Sequence, residues 1–255
     1  MRVSIIGSGN VATHIAKALK DANVQVLHIW SYKLENAKVL ANKVDASAVA
    51  EISQVCIDNS DVVLIAVKDD AIASVSAQLT NYKGLIAHTS GAVAMDTLAS
   101  NKNYGVFYPL QTFSKQKDLD FSSVPLCLEA NNHTNLDQLK KLASIISKSI
   151  YEVNSEQRKT LHLAAVFACN FTNYLYGIAQ QLLAQNQLDF DIIKPLITET
   201  ANKIQTALPL EVQTGPAVRN DEQTLQKHEG MLQEHPEWLN IYQLLSNQIK
   251  NNRSY

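Results

Sequence analysis

The sequence predicts an α/β protein, in which a parallel sheet with helices on both faces is followed by an all-helical domain. Two observations carry that expectation. Short apolar runs alternate with helix-period segments up to about residue 150, the pattern of repeated β-α-β units. Beyond residue 154 no strand signal competes, and the composition shifts from Val and Ile toward Gln, Leu and Ala. With 255 residues, more than one core is expected, and we place the domains at 1–154 and 155–255.

Each element follows from its own pattern. Residues 2 to 6 (RVSII) suit a buried strand, and Val11 to Leu19 repeats apolar residues at helical spacing, with Val11, Ile15, Ala18 and Leu19 on one face. Val24 to Trp30 is strand-like again, and Leu34 to Lys43 is helical. Asp61 to Val67 (DVVLIAV) is nearly all apolar, as befits a parallel strand buried on both faces. A helix at Asp70 to Leu79, a strand at Leu85 to His88 and a turn at Ser90-Gly91 follow. Weaker strands at Gly105 to Phe107 and Val124 to Leu128 precede a helix at Leu136 to Lys148 and a strand at Ile150 to Val153. In the second half, Ser155 to Gln187 reads as one long helix, and Phe190 to Leu208, Asp221 to Gln233 and Pro236 to Lys250 as three more, with Trp238, Tyr242 and Leu245 spaced for a buried face.

Composition narrows the function. A net charge of -2 with 18% charged residues and no basic cluster argues against nucleic acid and against a polybasic membrane contact, so the expected partner is a small molecule. Cys56, Cys127 and Cys169 are scattered in apolar stretches without a C-x-x-C pair; they read as reduced core thiols, and no metal site is expected. Gly7 and Gly9 interrupt the apolar opening, so it reads as neither a signal segment nor a membrane span, and a cytoplasmic protein is expected.

The chain has eight glycines and places two of them in its first nine residues. Gly7-Ser8-Gly9-Asn10-Val11-Ala12 matches G-x-G-x-x-A between a first strand and a first helix. Gly7 permits a tight turn, Gly9 lets the backbone approach a pyrophosphate, and Ala12 allows close helix-to-strand packing. The free N–H groups of the helix start then face the phosphates. The dinucleotide is chosen at the end of the second strand, where an acid would hold the ribose 2′-hydroxyl. Here the strand runs into Ser31, Tyr32 and Lys33, with no acid before Glu35. Ser31 and Lys33 suit a 2′-phosphate and Tyr32 an adenine face, which favours NADP over NAD, although an ordinary solvated strand end fits the same residues. Two more strand ends should border the cofactor: Ala66, Val67 and Lys68, then Thr89, Ser90 and Gly91, with Asp69 or Asp70 capping a helix.

These stretches, IIGSGNVA, AVKDDAI, HTSGA and FYPLQTF, occur in the order seen in one family, and LHLAAVFACNF and TGPAVRND continue the likeness through the helical half. The chain resembles proteins that join a Rossmann-like NADP-binding domain to a helical domain of unknown function. The resemblance implies an N-terminal Rossmann-type sheet, kinship with pyrroline-5-carboxylate, ketopantoate and deazaflavin-dependent NADP reductases, and a homodimer in contact through the helical domains. It implies no particular substrate.

Reduction of a carbonyl or imine needs a donor to the developing anion. His162 and Asn170, about 80° apart on an ideal helix, can share a face. Related hydroxyacid dehydrogenases carry Lys four residues before Asn, but here that position is Val166, so His162 is the best substitute donor, since histidine exchanges protons near neutral pH, with Lys159 one turn earlier as the alternative. The same pair would equally serve as interhelical hydrogen-bond partners. Asp221 is a natural N-cap, with His228 two turns on; Arg219 either clamps a substrate anion or pairs with Asp221 or Glu222. Tyr108 and Gln111 form a candidate substrate wall, with Tyr108 a second donor. The reading is an NADP-dependent oxidoreductase with its substrate in an interdomain cleft, against a non-catalytic nucleotide-binding or regulatory protein on the same fold.

Overall fold

β1 (Arg2–Ile6) buries Val3 through Ile6 and runs parallel to β2 (Gln25–Trp30) on one side and β4 (Val62–Ile65) on the other. The computed structural model describes residues 1–56 and 60–251. Among these, β3 (Ser47–Val49), β5 (Leu85–His88), β6 (Tyr104–Pro109), β7 (Leu126–Ala130) and β8 (Ile150–Glu152) complete one sheet in the order β3-β2-β1-β4-β5-β6-β7-β8.

Strand alternation divides the core between the two sheet faces. Val3, Ile5, Val62 and Leu64 point to a cluster shared with α1 (Asn10–Asp21), α2 (Leu34–Lys43) and α4 (His133–Ile146). Ile6, Val63, Ile65 and Ile86 point the other way, toward α3 (Ile72–Ala77). Ile15 and Leu19 on α1 are fully buried, each contributing about 1.5–3 kcal/mol, and so fix the start of α1 against the end of β1.

Some expectations need correction. The sheet is not parallel throughout, since β6 and β7 pair antiparallel with Phe107 opposite Leu128. The connection between them, residues 110–125, holds a 3₁₀ turn at Phe121–Ser123 but no crossover helix, and the chain doubles back. The helix expected from Asp70 is a 3₁₀ turn, Asp69–Ala71, leading into α3, and neither acid caps it. β3, a three-residue edge strand, was not anticipated. Cys127 is buried, but Cys169 is exposed, on a helix that also leaves Leu163 and Phe167 uncovered; the side chain of Cys56 lies outside the described residues.

By contacts the chain divides into two units, Met1–Asn170 and Phe171–Tyr255. The first ends with α5 (Ser155–Ala165), started by an Asn154–Gln157 capping box, and then a π-helical turn at Val166–Phe171. The second holds α6 (Thr172–Gln185), α7 (Lys194–Lys203), α8 (Glu222–Met231) and α9 (Pro236–Asn251). Asp221 caps α8 through Thr224 N–H at 3.1 Å, and Lys250 reaches Glu222 at 2.7 Å to tie α9 to α8. Leu245, expected in a buried face, is exposed, as are Ile192, Leu196, Leu208, Leu210 and Leu244. No helix among the described residues is long and apolar enough to cross a membrane.

Candidate active site

The opening glycines have different geometries. Gly7 adopts φ +135° while its N–H donates to Trp30 O at 2.7 Å, and a Cβ there would lie 2.1 Å from Ala66 O. Only glycine fits that close approach of β1 to the end of β4. Gly9 is the N-cap of α1 in ordinary extended geometry (φ -74°, ψ -169°), and a Cβ on it would meet nothing within 4 Å. The turn is therefore tight at Gly7 and open at Gly9. No acid occupies the first turn of α1, so its free N–H groups and positive end face the opening uncompensated.

That opening is one end of a cavity of about 1060 Å³ along the carboxyl ends of β1, β2, β4, β5 and β6, wholly within the first unit. Gly7, Ser8, Gly9, Asn10 and Val11 line it, with Ser31 and Tyr32 after β2, Ala66, Val67 and Lys68 after β4, and Thr89, Ser90 and Gly91 after β5. Ser8 and Ser31 hydrogen-bond through their hydroxyls at 2.7 Å, joining two of these strand ends. Lys33 is exposed at the start of α2 and is not among the lining residues. Trp30, Asp69, Asp70, Phe113 and a face of α3 and its lead-in turn (Ala71, Ser74, Val75, Gln78) complete the wall. The spacing of those last four at three and four residues was the signal that could have found them. Asn10 Nδ2 donates to Phe113 O at 2.9 Å, fastening the segment after β6 to the start of α1.

The far end is built by Tyr108, Pro109 and Gln111 from β6 and its exit, and by His162 on α5. The Tyr108 hydroxyl and His162 Nδ1 are 3.1 Å apart, with the rings edge to face. Gly91 makes this possible, because a Cβ there would sit 2.7 Å from both His162 Nδ1 and Tyr108 Cζ. Burial pushes the Tyr108 phenol up to about 12, with Cys127 adding to the rise, Arg158 opposing it and Asp69 reinforcing it, so it stays protonated at neutral pH. Behind the pair, His88 is fully buried and pulled down to about 4, by burial and then by the nearby Arg158 charge. Its Nδ1 accepts from Ser90 N–H at 3.2 Å and holds the turn that carries Gly91.

Asn170, Arg219 and His228 are not among the residues that line this cavity. Asn170 is exposed in the π-helical turn and is not among the lining residues, and the extra residue of that turn changes the ideal-helix angle to His162. His228 is engaged inside its own unit, its Nδ1 2.9 Å from the Tyr242 hydroxyl. Arg219 lies near Asp221, whose carboxyl is held below the usual range by its hydrogen bonds to Thr224 first and by Arg219 and Lys227 less.

A glycine turn between β1 and α1, opening on a cavity along the strand ends of this sheet, defines a Rossmann domain of the dinucleotide-binding class. Comparison with known proteins places the chain more closely. The family model for coenzyme F420-dependent NADP oxidoreductases matches residues 2–90, and that for a domain of unknown function, DUF2520, matches residues 124–249. A solved structure from Bacteroides fragilis, described as a "putative NADP oxidoreductase", is 39% identical over 98% of each chain, with a TM-score of 0.91. The chain belongs to the family that couples this NADP-binding Rossmann domain to DUF2520. The protein TM1727 of Thermotoga maritima is 22% identical over 98% of this chain and 97% of its own, with a TM-score of 0.72. A pyrroline-5-carboxylate reductase of Streptococcus pyogenes is 15% identical over 98% of each chain, with a TM-score of 0.65; these two likenesses are of fold alone. No curated protein matches the chain.

Proposed function

We propose that the chain is an NADP-dependent oxidoreductase that reduces a small polar carbonyl or imine, with His162 as proton donor. One observation carries the reading: a single cavity holds an open backbone cradle at Gly9 and, at its far end, a paired phenol and imidazole. The Gly7–Val11 turn would hold the pyrophosphate, Ser31 and Lys33 the 2′-phosphate, and Ala66–Lys68 and Thr89–Gly91 the nicotinamide half. The cofactor supplies a hydride when bound. Tyr108 orients His162 through Nδ1 and leaves Nε2, which has no partner among the described residues, to donate to the anion developing on the substrate. Gln111 lines the same wall and offers its amide to the substrate.

The helical domain, 155–255, would supply the rest of the substrate enclosure across an interdomain cleft, with Arg219 and His228 as its candidate polar groups. It would also pair with a second copy. The exposed Ile192, Leu196, Leu208 and Leu210 support a homodimer, because so much apolar side chain on a separate unit needs cover. A cytoplasmic location accords with this cofactor. The rival reading, a nucleotide-binding regulator without turnover, is favoured by Val166 in place of the lysine of related dehydrogenases and by Asn170 standing off the cavity. Titration with NADPH and NADH, followed by energy transfer to the reduced nicotinamide, tests cofactor choice. A carbonyl and imine panel run with wild type and His162→Ala separates the two readings: turnover lost in the variant supports the reductase. Activity unchanged in His162→Ala would remove His162 from the role of donor.

A further inference from the structure

The largest fully buried side chain among the described residues is charged. Arg158, on the first turn of α5, exposes none of its surface. Burying a guanidinium is costly unless every contact is well made, and a buried ion pair often stabilises a fold less than apolar side chains of the same shape would. Its contacts here reach three separate segments. Nη1 donates to Glu129 Oε2 on β7, and Nη2 donates to Val93 O at 2.6 Å in the segment following β5. Nη2 also lies 3.2 Å from Ser155 Oγ at the start of α5. Glu129 in turn accepts from Ser155 N at 3.0 Å and from Ser155 Oγ at 2.8 Å, while Met95 N donates to Ser155 Oγ at 3.0 Å.

Two of those segments meet the paired donors: one carries His162, and the other packs against both. His162 is four residues beyond Arg158, one turn along the same side of α5. Val93 is two residues beyond Gly91, the residue packed against both His162 and Tyr108, and Ser90 Oγ accepts from Val93 N at 3.1 Å to close that turn. The Arg158 fork thus grips the turn beneath the pair and the helix that carries one member of it, and ties both to the strand beside β6.

We infer that Arg158 is a positioning residue, which pins the Ser90–Val93 turn and the first turn of α5 to β7 so that His162 is presented to Tyr108 at the cavity. The inference rests on the reading of this cavity as the reaction site. A planar fork suits the task, because a lysine ammonium keeps the charge but lacks the rigid fork that satisfies Glu129 and Val93 O together.

The test reads the pair directly and needs no substrate. In protein with ¹⁵N-labelled histidine, the His162 ring nitrogen signals, assigned by their loss in His162→Gln, are compared at one fixed pH in wild type, Arg158→Lys, Glu129→Gln and Tyr108→Phe. Tyr108→Phe sets the displacement expected when the pair is broken. Arg158→Lys should move the His162 Nδ1 signal at least halfway to that value, and Glu129→Gln should move it in the same direction. A purely structural arginine would lower the melting temperature and leave the His162 ring signals where they are in wild type, and that result overturns the inference. Failure of Tyr108→Phe to move His162 also overturns it. If Arg158→Lys does not fold, the double variant Arg158→Met/Glu129→Met removes the pair without leaving one charge behind, and the same displacement is expected. Failure of the wild-type protein to bind NADPH defeats the functional reading instead, and is distinguishable because it is measured on unmodified protein.

Discussion

Replacing Gly9 by valine separates binding from folding. A Cβ at Gly9 meets nothing within 4 Å and the backbone there needs no positive φ, so the new side chain starts without a clash and the substituted chain is expected to fold. The cost is that of a poorer N-cap, about 1 kcal/mol, which for a protein of this size lowers the melting temperature by about 2–4 °C. On the proposed reading, the new side chain would stand where the pyrophosphate reaches the N–H groups of α1. Losing two charge-assisted hydrogen bonds at about 1.5–3 kcal/mol each weakens NADPH by about 10²–10⁴-fold. Gly7→Ala does the opposite, since its Cβ would strike Ala66 O at 2.1 Å in a chain held at φ +135°, and it should lose stability before it loses specificity. Calorimetric titration beside thermal melts of both variants makes the comparison. Binding of NADPH by Gly9→Val within about tenfold of wild type would refute the assignment of this cradle to the phosphates.

Gly91→Ala should push His162 from Tyr108, since its Cβ would lie 2.7 Å from atoms of both; a crystal structure with the 3.1 Å contact intact would refute the packing argument. His88 makes stability fall in acid. Its native value of about 4 lies below the ordinary 6.5, so between these pH values the unfolded chain takes up a proton that the native protein refuses. The stability present above pH 6.5 is therefore lost as pH falls through about 4, by about 3 kcal/mol from this group. Urea melts of His88→Asn should show a flatter acid limb, and an unchanged limb would place the acid sensitivity elsewhere. Lys33→Ala should weaken NADPH about two- to tenfold and leave NADH unchanged, less so in high salt because Lys33 is exposed; equal loss for both dinucleotides would exclude contact with the 2′-phosphate.

How legible each part was follows from how local its cause is. The turn at Gly7 and Gly9 and the helix Leu34–Lys43 could be read directly, because glycine geometry and helical periodicity act within a few residues. The reversal at β7 could not, since Val124 to Leu128 has the same apolar pattern whichever way the strand runs, and what distinguishes the connection before it is the lack of a crossover helix. Tyr108 and His162 were each singled out, but their pairing joins residues 54 apart in sequence through the space left by Gly91. Arg158 left no sequence signal: in SEQRK it reads as one more charge on a solvated helix start, and only the convergence of Glu129, Val93 and Ser155 around it reveals a buried ion. Leu245 was expected on a buried face with Trp238 and Tyr242 but is exposed, because periodicity reports an apolar face without saying what covers it.

The central claim is that the cavity at the strand ends is the dinucleotide site. Amide hydrogen exchange of the wild-type protein with and without saturating NADPH tests it most directly. The account predicts slowed exchange at the start of α1 from Gly9 to Ala12, after β4 at Val67 and Lys68, and at Ser90 and Gly91, with none of this in Gly9→Val. Slowed exchange confined to residues outside this cavity, or no change at millimolar NADPH, would contradict it.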